Sequence, residues 1–209
     1  PNGPSEKGGM RHAVTQWGKG RGTSRVQRLT KGNKAAESPN NVGGRRAFPP
    51  KPEKDYSKKM NRKEKQLAKL SALAAVANPE IVKNRGHRFD ENVTLPLVVE
   101  NDFEKIATTA EAIAVCENLG VYDDLVRAKN GKKIRAGRGK MRGRKYRTPR
   151  SVLVVVSENE APIFKGVHNL PGVEVVSTSG LSAGKLAPGG AAGRLTVFTE
   201  SALEQTGGW

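Results

Sequence analysis

The sequence is short of the materials that make a packed core. Aromatic residues are 5% of its 209 positions and hydrophobic residues 35%. That is below the usual share for a fully globular chain, so part of it lies outside any core. Cysteine occurs once, at Cys116. A lone thiol closes no internal disulfide, which fits a reducing compartment. No run of about 20 apolar residues is present to span a bilayer, and the N-terminus shows no signal-peptide pattern. The three histidines, His12, His87 and His168, are scattered and give no Cys/His metal spacing. Acid is scarce as well: 20 Asp/Glu stand against 37 Lys/Arg, a formal net charge of +17. Such an excess calls for a polyanion, nucleic acid ahead of an anionic membrane surface.

The positive charge is concentrated. Residues 1–65 hold 17 Lys/Arg against 5 Asp/Glu, and residues 129–150 hold 11 Lys/Arg with no acid. The rest of the chain carries 9 Lys/Arg and 15 Asp/Glu. A mildly acidic body therefore bears two basic appendages.

The body reads as α/β. "NRKEKQLAKLSALAAVA" (61–77) puts Leu67, Leu70, Leu73, Ala74 and Ala77 near one helical face, with Asn61 and Glu64 at capping-box spacing. "TLPLVVE" (94–100) reads as a buried strand entered past a proline. "DFEKIATTAEAIAVCENL" (102–119) reads as a helix capped by Asp102 and stopped by Gly120. A short helix follows at about 122–129, with Asp123 and Asp124 at its start. "SVLVVVS" (151–157) is an uninterrupted β-branched run suited to a central strand covered on both faces. "VEVVST" (173–178) and "RLTVFT" (194–199) add two strands, with helical stretches near 181–187 and 200–206. Alternating strands and helices predict a doubly wound, mostly parallel sheet. About 140 residues suffice for such a core, into which Phe89, Phe103, Phe164, Phe198 and the Cys116 thiol are expected to pack.

Residues 1–60 show no sustained period and are punctuated by Gly and Pro. They read as a long extended basic loop without regular structure, ordered by a partner rather than by itself. "TQWGKGRGTSRVQR" (15–28) sets Trp17 among Lys19, Arg21, Arg25 and Arg28. Interleaved aromatic and guanidinium groups suit stacking on bases and pairing with phosphates. In the second appendage, Lys132, Lys133, Arg135, Arg138, Lys140, Arg142, Arg144, Lys145 and Arg147 surround Tyr146. A loop that feeds a strand lies at the sheet edge away from the usual ligand crevice, so this one reads as a docking surface. "GKGRGTS" and "GLSAGKL" depart from phosphate-loop spacing.

"WGKGRG", "VGGRRAFPPKPEKDYSKKMNRKEKQLAKLSALAAVA", "KIRAGRGKMRGRKYR", "NLPGVEVV" and "GRLTVFTESALE", in that order from about Met10 to Glu204, resemble the large-subunit ribosomal protein four family in its archaeal and eukaryotic form. The resemblance implies a globular α/β domain, a long loop running inward through large-subunit ribosomal RNA and lining the nascent-peptide exit tunnel, and a cytoplasmic place in the large subunit. It implies no catalytic site and no cofactor. Its partners would be that RNA, neighbouring ribosomal proteins, and the nascent peptide near a loop tip at Gly18 to Arg25. Carried onto this chain, the arm's RNA contacts would be Arg11, Trp17, Lys19, Arg21, Arg25, Arg28, Arg45, Arg46, Lys51, Lys58, Lys59 and Arg62. The family also places a strand and a helix ahead of the loop, and the present sequence opens almost inside the outgoing arm. Two other readings fit the charge map. One is an RNA-modifying enzyme with an α/β domain and a basic substrate arm; the other is a DNA-compacting protein. The enzyme would need a glycine-rich cradle after its strands, and "NDF" and "ENEAP" offer none.

Overall fold

A computed structural model describes residues 5–207 of the chain. They fall into two compact units, Pro1–Lys59 and Met60–Trp209.

The first unit is the basic arm, and it has more regular structure than its composition predicts. Strand β1 (Val14–Gln16) pairs antiparallel with β2 (Gln27–Leu29), Val14 opposite Leu29 and Gln16 opposite Gln27. The returning chain adds a bridge between Arg28 and Ala35, and the Ala36 amide donates to the Gln27 carbonyl at 2.9 Å. The expectation of a wholly irregular loop is therefore corrected. Val14, Leu29 and the buried Ala36 are enough apolar matter to seat one short hairpin. Outgoing and returning segments also touch at Gly9, whose φ is +81° and where a Cβ would sit 2.5 Å from the Gly44 carbonyl oxygen. Only glycine fits there.

The second unit opens with α1 (Arg62–Val76), where the Asn61 amide donates to Glu64 Oε2 at 3.3 Å. Its buried face differs from the expected one. Ala72 and Val76 are buried, whereas Leu67 is 69% and Leu70 39% exposed. Only the C-terminal half of the helix lies over the sheet, and there small residues allow close approach. Helix α2 (Pro79–Asn84) follows, capped by Asn78 Oδ1 accepting from Glu80 and Ile81 amides.

Strand β3 (Leu97–Val99) begins only after Pro96, which has no N–H to give to a ladder. The helix expected over 102–119 is broken in two. A 3-10 turn (Asn101–Lys105) ends at an extended Ile106, and α3 (Thr109–Asn118) restarts with Thr108 as cap. Asp102 is thus not a cap; it pairs with exposed Lys105 at 2.7 Å. The break admits the close approach of Gly166, where a Cβ would lie 3.0 Å from the Ile106 carbonyl oxygen. Helix α4 (Tyr122–Asn130) then leads into a two-stranded ribbon, β4 (Lys133–Ile134) and β5 (Tyr146–Arg147).

Strands β6 (Leu153–Val156), β7 (Glu174–Ser177) and β8 (Thr196–Thr199) complete a four-stranded parallel sheet of order β3-β8-β6-β7. They are joined through α5 (Ile163–Val167) and α6 (Ala183–Leu186), and α7 (Glu200–Thr206) follows the last strand. Alternate side chains of the sheet face opposite layers. Val152, Val154, Val156 and Val197 pack with Phe103, Ala112, Cys116 and Ile163 of the α3/α5 layer. Leu153, Val155 and Phe198 pack with Ala72, Val76, Leu186 and Ala202 of the α1/α6/α7 layer. This is the doubly wound architecture the strand-helix alternation predicts. Phe89 and Phe164 pack against the first layer, and Cys116 is buried in it. Among the described residues no helix is long and apolar enough to cross a membrane.

Candidate nucleic-acid interface

Cations are presented separately on the two units. On the arm, Arg11, Lys19, Arg21, Arg25, Arg46, Lys51, Lys58 and Lys59 are exposed and Arg45 is half-buried. Arg28 stands apart from them. Its Nη1 donates to the Asn33 carbonyl at 2.7 Å, and its Nη2 to Ser24 Oγ at 3.0 Å and the Ser24 carbonyl at 3.3 Å. The same guanidinium lies 5.3 Å from the centre of the half-buried Trp17 ring, which Arg21 approaches at 5.0 Å. Trp17 is therefore already engaged by the chain's own arginines, and Arg28 is a post of the hairpin rather than a free cation.

On the body, Arg62 is exposed at the first turn of α1. The ribbon collects Lys132, Lys133, Arg135, Arg138, Lys140, Arg142, Arg144, Lys145 and Arg147, all exposed. Backbone geometry holds them in one projection: the Arg135 amide donates to the Lys145 carbonyl at 2.8 Å, and Arg135 Nε to the Arg144 carbonyl at 3.2 Å. Lys132 and Lys145 lie 4.5 and 5.4 Å from the centre of the Tyr146 ring. With no acid between residues 129 and 150, the ribbon's like charges have nothing of their own to neutralise them.

Such a ribbon needs a firm base, and two buried networks supply it. Asp124, on α4 with no side-chain exposure, accepts from His87 Nδ1 at 3.0 Å, the Arg88 amide at 3.0 Å and Arg127 Nε at 2.7 Å. Arg127 Nη2 in turn donates to the Arg150 carbonyl at 2.8 Å. Burial alone would raise the Asp124 carboxyl, but hydrogen bonds from His87 and Arg127 outweigh it and hold it below the ordinary range. The second network ties the N-terminal ends of three strands. Arg194, 0% exposed, donates to Ser151 O at 3.0 Å, to Lys185 O at 3.0 Å and to Glu174 Oε2 at 2.6 Å. Arg150 reaches Glu174 Oε1 at 2.6 Å. Burial pushes the Glu174 carboxyl up, and the surrounding Arg194, Arg150 and Lys185 bring it net below its usual value. Gly172, at φ +76°, leaves room where a Cβ would collide with Pro149, and it receives the Ser151 amide at 3.0 Å.

The opposite edge of the sheet carries a different arrangement. A doubly wound sheet binds ligands at the C-terminal ends of its strands, where the strand order reverses. Here that place, beyond β6 and β8, is taken by the chain's own Glu104. Its carboxylate accepts from the Ser157 amide at 2.9 Å, Ser157 Oγ at 2.9 Å and Thr199 Oγ1 at 2.6 Å. Burial raises this carboxyl, and the hydroxyl and amide donors more than offset that and hold it low.

Charge counting finds the cations but not what holds them. Arg127, Arg194, Asp124, Glu174 and Glu104 are ordinary charges in the sequence; the (i, i+3) spacing of Asp124 and Arg127 is the one local hint.

A profile of the Ribosomal protein L4/L1 family matches residues 3–209. The chain is 53% identical over 205 residues to the large ribosomal subunit protein uL4 of Methanocaldococcus jannaschii, an alignment covering 98% of this chain and 80% of that relative. It is 48% identical over 204 residues to the protein of that name from Thermoplasma acidophilum, covering 98% of this chain and 79% of the relative. Against that of Haloquadratum walsbyi it is 48% identical over 205 residues, covering 98% and 81%. The ordered motifs, the doubly wound body and these matches agree: the chain belongs to the Ribosomal protein L4/L1 family.

Proposed function

We propose that this chain is a structural constituent of the large ribosomal subunit in the cytoplasm, binding large-subunit ribosomal RNA through its arm and its body ribbon. The observation that carries this is the ribbon between Gly131 and Arg150: nine exposed cations on one hydrogen-bonded hairpin, its base anchored through Arg127 and Arg150. Ribosomal RNA is the dense, folded phosphate surface such a hairpin can neutralise. The arm adds a second cationic element, with Lys19, Arg21 and Arg25 at its tip and Arg45, Arg46 and Lys51 on its return. Family resemblance supports that tip reaching the wall of the nascent-peptide exit tunnel, with neighbouring subunit proteins beside it. No catalytic step belongs to this reading. The relatives are named as ribosomal subunit proteins, and at the C-terminal ends of β6 and β8 Glu104 ties Ser157 to Thr199.

The test is binding of the chain to large-subunit RNA across a salt series. Contact with about 8 phosphates gives a log–log slope of roughly −6. Replacing Arg135, Arg138, Arg142 and Arg144 by alanine should flatten it by roughly 3. A salt-independent affinity, or loss of the chain from large subunits after a mild-salt wash, would sink the reading. Equal affinity for duplex DNA would favour a compacting role instead.

A further inference from the structure

Beyond the tip, the arm's return carries a groove that charge alone does not explain. It is lined by Arg46, Phe48, Lys51, Lys54, Tyr56 and the Pro49–Pro50 pair, with Glu53 as its one acid, and it is an open groove of about 780 Å³. Phe48 is 96% exposed and Tyr56 48% exposed, and Lys54 Nζ lies 5.4 Å from the Tyr56 ring centre. Single exposed aromatics are common and need no explanation. Two that open onto one groove, with three cations at its walls, are a different matter. The backbone between them holds Pro49, Pro50 and Pro52, which fix φ and lack amide donors. The Lys54 amide donates to the Lys51 carbonyl at 3.3 Å in the turn that brings Tyr56 to the same groove as Phe48, so with φ fixed at the prolines less freedom is left to lose on binding.

We infer that this groove is a binding site for a single unstacked nucleobase of RNA, held by stacking on Phe48 and Tyr56 with its phosphates met by Arg46, Lys51 and Lys54. The inference rests on the RNA-binding reading above and deepens it. The volume lies within the range of small-ligand pockets, about 300–1,000 Å³. The apolar faces suit any base, because each has a π surface. The cations suit the phosphates on either side of a base turned out of its helix, and a base inside a continuous duplex shows no free face to such a groove. This assigns a job other than phosphate neutralisation to Phe48 and Tyr56. Phosphate contact gives affinity wherever RNA is dense; a stacking groove fixes where along the RNA the arm settles.

The experiment compares two RNA hairpins of equal length, one fully paired and one with a single unpaired adenosine replaced by 2-aminopurine. Full-length wild-type chain, Phe48→Leu, Tyr56→Leu, the double variant and Phe48→Trp are titrated against both. The wild type is expected to favour the bulged hairpin by roughly tenfold or more and to quench the 2-aminopurine. Each leucine variant should lose most of that preference, and the double variant all of it. Phe48→Trp, which keeps a ring, should retain it, and the salt slope should stay the same throughout. Leucine preserves an apolar surface, so this separates stacking from mere burial. If wild type binds both hairpins equally with a steep salt slope, or if the leucine variants keep the preference, the groove is not a base site although the RNA reading stands. A chain that binds neither hairpin overturns both.

Discussion

Two residues show how far a side chain's type is from its task. Arg28 and Arg21 both lie near Trp17, seven residues apart in sequence, and read alike as RNA cations. Arg28 spends its donors on Asn33 and Ser24, whereas Arg21 is exposed. A guanidinium fork cannot be replaced by an ammonium in such a role. Arg28→Lys, made in a Trp209→Phe background so that Trp17 is the only indole, should red-shift and broaden the Trp17 emission while leaving the salt slope of RNA binding unchanged. Arg21→Ala also uncovers the ring, so it should shift the emission too, but unlike Arg28→Lys it should flatten the slope by roughly 0.7. Identical behaviour of the two variants would show that Arg28 is not a post. Cys116 makes the opposite point, since its sequence reading as a core residue holds. Burial, with the Glu117 charge as a lesser cause, pushes its thiol up to about 11. At pH 8 only about one molecule in a thousand then carries the reactive thiolate. Thiol reagents should label it slowly in the folded chain and at an ordinary rate in denaturant; fast labelling of the native protein would mean that α3 opens readily.

Elements were legible to the extent that their own residues decide them. The valine-rich apolar run at 153–156 could be little other than a central strand, and Thr199 and Gly207 bracket α7 where the sequence places it. Elements decided by a neighbour were not legible. The face of α1 that is buried depends on how far the sheet extends beneath it, so Ala72 and Val76 are buried and Leu67 is not. The break at Ile106 depends on Gly166, sixty residues away, and the arm's hairpin depends on pairings that cross from Gln27 to Ala36. The positions and exposure of the cations were legible because charge is additive along a chain; their anchors were not, because a buried ion pair is a tertiary object. The α4–ribbon junction is where this can be measured. Asp124→Asn removes a charge that Arg127 and His87 share, so it should cost about 3 kcal/mol of stability and release Arg127 from Arg150. Amide exchange of residues 131–150 should then speed up more than that of β6 and β8. RNA affinity should fall without any change in the number of cations. Uniform acceleration across the sheet would indicate only global destabilisation, and not a clamp on the ribbon.

At the scale of the whole molecule, the chain divides its charge by purpose. The arm and the ribbon present exposed cations far in excess of their acids, as binding a polyanion requires. The body keeps a few carboxylates, Glu104, Asp124 and Glu174, where they tie separate elements together. All three are held below their ordinary values, by hydrogen bonds and, for Asp124 and Glu174, charged partners that outweigh the cost of burial. The sign of the consequence is fixed. A carboxyl depressed in the folded state contributes stability that is complete above its unfolded value and is lost as pH falls through its folded one. Thermal stability should therefore be flat around neutrality and decline below the ordinary carboxylate range near pH 4. Net positive charge rises over the same interval and adds self-repulsion, so salt should recover part of the loss. Glu104 separates the two effects, because its partners are hydroxyls and an amide rather than cations. Glu104→Gln removes the anion and leaves a side chain of the same shape. At pH 7 it should cost about 1–3 kcal/mol, since the donors of Ser157 and Thr199 lose their charged acceptor. As pH falls and wild-type Glu104 takes up a proton, the two proteins should converge. Melting curves of both at pH 7, 5 and 3 and at two salt concentrations decide it. A gap that closes on acidification at either salt assigns this part of the acid sensitivity to the plug in the sheet's crevice. A gap that persists at pH 3 would mean that Glu104 contributes through packing, and that the crevice is held shut by shape rather than by charge.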